Sequence, residues 1–441
     1  MKKFNFKGGV HPKDNKKLSA SAPIKQLDPG DELVFPLSQH IGVSAKAIVK
    51  KGDNVLLGQI IAKSNGAISA NISSSVSGIV KTIEPRLCAT GFYGECIVIN
   101  NDHLDQTISN YNLKNDYQNF NKQQIRELIN QAGIVGLGGA GFPSALKNSP
   151  QNDEAIKHLI INGAECEPYL TSDYRLMLEE TNKLIEGIKI QLKLFKNANA
   201  IIAIEDNKPQ AIELLKQATI NEPNIQVAKL QTKYPQGSER VLIKALTNHN
   251  IVSGMLPADV GCIVSNVASI IAIYDAVALN IPLIEKVVTV TGNAIKQPQN
   301  FKVRLGTKYQ ILVDACGGFN TTPKKLISGG PMMGTALFDL DIPVSKTSSA
   351  LLCLSNDEIA KNTQTACIHC GRCVQACPIG LVPQLLYQYA NENDQDGFIR
   401  VHGLNCMECG CCTYTCPAKR DMTQAFKRIK KEINDTKKGV K

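Results

Sequence analysis

The chain has 441 residues and no tryptophan, and aromatic residues of all kinds make up only 5% of it. Proteins that grip single-stranded nucleic acid stack bases on aromatic side chains along a basic groove. No aromatic-interleaved basic strand or recognition motif is present, so nucleic acid is not an expected partner. Long apolar runs are missing too. The longest, 267–284, is broken by Asp275, Asn280 and Pro282 and fails as a membrane span of about 20 apolar residues. The segment behind Lys2 and Lys3 lacks the apolar core of a signal peptide, so the chain is read as cytosolic.

What the sequence does have is charge and sulfur. The formal net charge is +10 and gathers at the two ends, at Lys2, Lys3, Lys7, Lys13, Lys16 and Lys17 and again from Lys419 to Lys441. Solvated tails are the plain reading. The alternative is a surface for an acidic partner or for an anionic leaflet, where each lysine contributes about 1 kcal/mol.

Fifteen cysteines are present, and eight of them fall into two copies of C-x2-C-x2-C-x3-C-P: Cys367, Cys370, Cys373, Cys377 and Cys406, Cys409, Cys412, Cys416. Bacterial ferredoxins hold cubane iron–sulfur clusters with this spacing, because one tight loop wraps three corners of a cube and leaves the fourth to another segment. Where two clusters are present, the last cysteine of each run ligates the other one. The expected sets are therefore Cys367, Cys370, Cys373 with Cys416, and Cys406, Cys409, Cys412 with Cys377. Structural zinc uses CxxC pairs with a longer gap, and disulfide frameworks suit small secreted domains rather than a long chain with an odd cysteine count. Cys411 breaks the register and is read as packing beside a cluster. His369, inside the first loop, is read as solvent-facing, with tuning of the cluster potential as the alternative.

Seven segments can be drawn along the chain: an N-terminal arm (1–30), a small all-β module (31–115), an α/β domain (116–285), a second β-rich module (286–345), a linker (346–363), the paired-cluster domain (364–420) and a basic tail (421–441). The first β module is read from Ala47–Val49, Asn54–Ile61, Gly66–Ile72 and Ser77–Ile83, punctuated by glycine turns. It resembles a lipoyl-type hammerhead, but the expected hairpin tip, 71–77, has no lysine for a swinging arm, which leaves a structural or docking role. Ile125, Leu128 and Ile129, and Leu184, Ile185, Ile188 and Leu192, have helical spacing, with buried strands at His158–Ile161 and Ala200–Ile204 between them. In the second β module, strands are expected at Lys286–Thr291 and Tyr309–Val313. Ala425, Phe426, Ile429 and Ile433 share one face of a basic amphipathic helix.

The segment from Gly136 to Lys147, GLGGAGFPSALK, contains a G-x-G-x-x-G string. A dinucleotide fold needs a full strand before that string, and only Ile134 and Val135 separate it from a helix. The local physics still applies: glycines let amides approach a phosphate, and a helix started by Pro143 would aim its positive end at it.

Together with Asn162-Gly163-Ala164-Glu165-Cys166-Glu167-Pro168, Tyr234-Pro235-Gln236-Gly237-Ser238-Glu239 and Ser265-Asn266-Val267, this segment resembles the flavin-binding subunit of respiratory complex I. The resemblance implies FMN contacts from Gly136, Gly138, Gly139, Lys147, Asn162, Glu165, Tyr234, Gly237, Glu239 and Asn266, with Glu167 nearest NAD(H). Leu137, Ala164 and Ser238 depart from that family's arginine, aspartate and glutamate. Over nearly its full length the chain resembles the C subunits of Rnf-type ion-translocating electron transport complexes. The implied fold is a hammerhead-like β module, an α/β flavin domain, a β-grasp (SLBB-like) module and an α+β ferredoxin-like domain with two [4Fe-4S] clusters. The implied function is electron input between NADH and a ferredoxin-type partner, through FMN and the clusters. The chain would be a peripheral translocase subunit on the cytoplasmic face of the bacterial inner membrane, beside other subunits that include an iron–sulfur one. The competing readings are a relay and docking subunit without a working flavin site, and a soluble cobalamin reductase.

Overall fold

The computed structural model describes residues 3–252 and 254–437. Of the basic ends, Lys2, Lys438 and Lys441 lie outside the described residues.

Continuous apolar runs such as Leu159–Ile161, Ala200–Ile204 and Ile263–Val264 are buried on both faces, as all-parallel sheets require. They form the last three strands of a five-stranded parallel sheet ordered Lys3–Phe4, Ile225–Leu230, Asn199–Glu205, His158–Gly163, Cys262–Asn266. The helices Lys122–Gln131, Thr181–Leu192, Pro209–Ala218 and Val267–Leu279 pack their apolar residues on it. Asn162 and Asn266 face each other at the carboxyl ends of neighbouring strands. Ligands in open α/β sheets bind at that edge.

Two smaller sheets, built around Gly78–Leu87 with Tyr93–Asn101 and around Ile60–Lys63 with Ile72–Ser73, close over a shared core of Leu33, Phe35, Ile61, Ile72, Val76, Ile97 and Ile99. The expected hairpin tip is not exposed: Ser73 to Ser77 are buried, and the Ser75 hydroxyl donates to the Leu305 carbonyl at 2.6 Å. The tip is a docking surface against the second β module.

That module is a six-stranded mixed sheet ordered Thr335–Leu337, Lys325–Ser328, Ala350–Leu354, Glu285–Thr291, Gln299–Arg304, Ile24–Gln26. Three expectations are corrected here. Tyr309–Ala315 is a helix, with Tyr309, Leu312 and Val313 buried on one face, not a strand. Ala350–Leu354 is an interior strand rather than linker. The N-terminal arm supplies an edge strand to two different sheets, and Lys16 within it is buried instead of solvated.

Residues 364–437 carry helices and no strand among the described residues, so the α+β expectation for the cluster domain is also corrected. Arg372–Ala376 and Cys411–Thr415 follow the two cysteine loops, while Pro383–Glu392, Gln395–Arg400 and Met422–Lys437 build a core of Leu386, Phe398, Phe426, Ile429 and Ile433. Among the described residues no helix is long and apolar enough to cross a membrane. Phe426 is 1% exposed and its ring centroid lies 6.1 Å from that of Phe398. Phe426→Ala is therefore expected to cost about 3–5 kcal/mol, read as loss of hydrogen-exchange protection confined to the cluster domain.

Candidate functional site

The two cysteine loops repeat one backbone. His369 and Glu408 occupy the same place in each run and both have left-handed φ, +54° and +56°. Gly371 and Gly410 follow at +71° and +80° and lead into the short helices. In this conformation the His369 amide points at Cys367 Sγ (3.4 Å) and the Glu408 amide at Cys406 Sγ (3.4 Å), while Leu381 N approaches Cys377 Sγ at 3.3 Å. Amide donors to sulfur are a known lever on cluster potential. The His369 side chain itself is exposed.

Cys367, Cys370, Cys373 and Cys416 line one cavity of about 410 Å³. Cys377, Cys406, Cys409 and Cys412, with Cys411 beside them, line another of about 370 Å³. The fourth cysteine of each run thus turns toward the other run's loop. Among the described residues no group of His, Cys, Asp and Glu converges tightly enough to hold a single metal ion. Two concave, sulfur-lined spaces with amides aimed at the thiols fit a cubane each.

The second cavity abuts the α/β domain. Tyr234 is 2% exposed; its hydroxyl donates to the Cys409 carbonyl at 2.8 Å, and its carbonyl accepts from the Val10 amide at 2.8 Å. Gly9 N donates to the Ala376 carbonyl at 2.8 Å, and a Cβ on Gly8 would sit 2.6 Å from the Cys377 carbonyl oxygen. The Gly8-Gly9 pair is glycine because the arm runs here in left-handed conformation against another backbone. Tyr234 is among the residues to which the resemblance assigns an FMN contact, and its hydroxyl is committed to the cluster loop.

At the carboxyl edge of the parallel sheet, Asn162 Nδ2 donates to the Gly237 carbonyl at 2.8 Å, and Lys147 Nζ donates to Glu239 Oε2 at 2.8 Å and to the Val264 carbonyl at 2.9 Å. Asn266 caps the helix Val267–Leu279 through Ala268 N, and its Nδ2 reaches Asp173 Oδ2 at 2.6 Å. A Cβ on Gly138 would lie 2.6 Å from that same nitrogen, whereas one on Gly139 would meet nothing within 4 Å. The sequence motifs therefore converge, although far apart in the chain. Two expectations are adjusted. The Gly136 amide is already spent on the Phe142 carbonyl, 2.9 Å away. The helix after Pro143 is only Ser144–Lys147, one turn with little dipole.

Glu165 has φ of +47° and a buried side chain; Oε1 accepts from the Asp173 amide at 2.7 Å. Its Oε2 has no hydrogen bond and lies 3.9 Å from Lys16 Nζ. Burial drives Glu165 up and Lys16 down, so the pair is held toward neutrality. Glu167 accepts from the amides of Met332 (3.2 Å) and Met333 (2.9 Å) in the second β module, and burial still pushes its carboxyl up to about 7. Gln236 is fully buried with both amide atoms unpartnered. Among the described residues an orphaned carboxylate oxygen, an orphaned side-chain amide and the backbone amides of Gly138, Gly139 and Ala140 have no hydrogen-bond partner, which fits a bound polar cofactor such as FMN. Lys16, Lys208, Asp173 and Gln236 were not singled out for this site from sequence; Lys208 is 2% exposed, with Nζ on the Ala164 carbonyl at 2.7 Å.

Glu167 binds its proton more tightly folded than unfolded, so it lowers stability as pH rises from about 4.5 to about 7. Glu167→Gln should flatten that fall in a pH series of thermal unfolding midpoints.

Family models match four stretches of the chain: the RnfC barrel sandwich hybrid domain at 4–104, the Nuo51 FMN-binding domain at 129–275, the SLBB domain at 287–336 and a 4Fe-4S dicluster domain at 359–417. The C subunit of the proton-translocating ferredoxin:NAD(+) oxidoreductase complex of Clostridium ljungdahlii is 46% identical over 87% of this chain and 83% of its own length. The C subunit of the Na(+)-translocating complex of Acetobacterium woodii is 41% identical over 98% of both. That of the ion-translocating oxidoreductase complex of Vibrio cholerae is 40% identical over 90% of this chain, which spans about half (51%) of that longer protein. Among solved structures, an NAD+-reducing [NiFe]-hydrogenase matches in fold, with a TM-score of 0.51 at 20% identity over 64% of this chain and 55% of that one.

Proposed function

The chain belongs to the family of C subunits of ion-translocating ferredoxin:NAD(+) oxidoreductase complexes, and on that premise we propose that it is the electron-input subunit of such a complex. In this reading it is a peripheral component on the cytoplasmic face of the bacterial inner membrane, exchanging electrons with NADH on one side and an iron–sulfur partner on the other. Its relatives are named for different ions, protons and Na+, at 46% and 41% identity to this chain. Ion choice is accordingly assigned to other subunits. The hammerhead-like and β-grasp (SLBB-like) descriptions of the two β modules belong to the same proposal, as do the segment boundaries, with 350–354 moved from linker to sheet.

Bound FMN exchanges hydride with a nicotinamide and single electrons with iron–sulfur clusters. The chain's part is to hold the groups and fix their order. Gly138, Gly139, Asn162, Glu165 and Asn266 form the flavin-binding edge, and Glu167 sits where the second β module closes over it. Cys377 and Cys406, whose sulfurs accept backbone amides, hold the inner cluster together with Cys409 and Cys412, and Tyr234 ties it to the flavin domain. Cys367, Cys370, Cys373 and Cys416 hold the outer one. Cys370 is exposed, which supports the outer set as the side facing the electron partner. The observation that carries the proposal is the pair of four-cysteine cavities, one of them joined through Tyr234 to the loop that carries Gly237 and leads into the helix begun by Glu239. Anaerobic reconstitution should yield about eight iron and eight sulfide per chain, and Cys370→Ala or Cys409→Ala about half of that. Zinc, or no metal, would sink the assignment.

Lys147 and the Gly136 amide are engaged within the protein, which favours a second reading: a relay and docking subunit without flavin. NADH-driven bleaching of bound FMN in the cluster-loaded chain separates the two. Bleaching supports electron input, and absence of both FMN and NADH oxidation supports the relay.

A further inference from the structure

Beneath the glycine loop lie two lysines contributed from outside the α/β domain. Lys286, on the strand Glu285–Thr291, is 5% exposed and its Nζ donates to the carbonyls of Leu137 and Lys346, both at 2.7 Å. Lys346 is 1% exposed and donates to the Gly133 carbonyl at 2.7 Å and to the Asn71 carbonyl. Neither forms an ion pair among the described residues. The acidic group acting on Lys286 is Asp173, on the helix Ser172–Glu179, whose carboxylate is already bonded to Asn266. Glu180, Lys183, Asp275, Glu285 and Lys302 line the cavity of about 690 Å³ that Lys286 shares with Leu137. Those side chains are largely paired among themselves: Lys183 with Glu180 and Asp275, and Lys302 with Glu285.

An ammonium buried without a paired carboxylate carries a desolvation cost that an apolar residue of similar size avoids. Burial accordingly pushes Lys286 down to about 7. Retaining a lysine there makes sense when an anion arrives. The Leu137 carbonyl and the Gly138 N–H belong to one planar trans peptide unit and point in opposite directions. A cation on the carbonyl polarises the unit and strengthens the N–H as a donor. That Gly138 N–H has no hydrogen-bond partner among the described residues, and Gly138 is exposed, with the Asn266 side chain beside it.

We propose that Lys286 is a positioning residue for anion binding: as an ammonium on the Leu137 carbonyl, it charges the Gly138 N–H to receive the phosphate monoester of FMN. The inference rests on the flavin reading above. A phosphate dianion at the loop raises the proton affinity of Lys286, so binding near pH 8 takes up a proton, whereas the neutral ligand riboflavin takes up none.

The test is calorimetric titration of FMN into the cluster-loaded full chain freed of flavin, at pH 8, in two buffers of different ionisation enthalpy. Wild-type protein is expected to take up a substantial fraction of a proton per FMN. Lys286→Met should bind FMN about 10- to 100-fold more weakly with the uptake abolished, and bind riboflavin as wild type does. Lys286→Arg should restore affinity without uptake, since arginine stays charged throughout; a merely structural lysine would not separate the two readouts. Wild-type FMN affinity and uptake in Lys286→Met overturn the inference alone. Equal weakening of riboflavin and FMN also overturns it. No FMN binding by wild-type protein removes the flavin reading, and the inference with it.

Discussion

Electron transfer between bound groups needs separations that do not drift, and this molecule sets them with a few backbone hydrogen bonds where three segments meet. Tyr234 stands at the junction: its hydroxyl holds the Cys409 carbonyl and its carbonyl holds Val10, while Gly9 reaches Ala376 at the foot of the other cysteine run. Apart from the Tyr234 hydroxyl every group in these contacts is main chain, so the spacing depends on the rotamer of one buried side chain. Cys411, the cysteine out of register, completes the packing, with its sulfur 3.9 Å from the Tyr234 carbonyl. The interior around the flavin edge is held differently, by buried groups of both signs. Burial pushes the carboxyls of Glu165, Glu205 and Asp173 up and the Lys16 ammonium down, while the charges of Lys16 and Lys208 pull the carboxyls back. Such a set stores polarity where a cofactor can use it.

Much of this was legible in the sequence because some constraints are local. Cluster spacing is fixed by the geometry of one loop, so the two cysteine runs could be read directly, and the buried strands His158–Gly163 and Asn199–Glu205 announced themselves as apolar runs between helices. The amphipathic spacing of Ala425, Phe426, Ile429 and Ile433 likewise matches the buried face of the last helix. Errors arose where the signal was short. Tyr309–Val313 has the β-prone content of a strand, and periodicity over so few residues cannot separate strand from helix. Ala350–Leu354 was hidden by the serines before it, though its five apolar residues are those of a doubly covered strand.

The site was legible as motifs but not as a charge network. Glycine, acidic and asparagine motifs each have local signatures, and all end at one sheet edge. Lys16, Lys208 and Lys286 have none. They read as ordinary surface lysines until tertiary packing removes them from water, and only partners distant in sequence, such as the Leu170 carbonyl for Lys16 at 2.6 Å, reveal them. The same holds for the serine-rich tip of the first β module, which turns inward onto Leu305 instead of offering a modified side chain to solvent.

The arm that abuts the end of the first cysteine run also fixes the sequence of assembly. Lys3 and Phe4 pair with Lys229 and Leu230, and Gly8 and Gly9 press on Cys377 and Ala376, segments that leave the ribosome far later. The arm must wait, unzipped, while the body of the protein is synthesised. Its docking on the Cys377 and Ala376 carbonyls is thus a late step, taken only after the cysteine run it touches has been made.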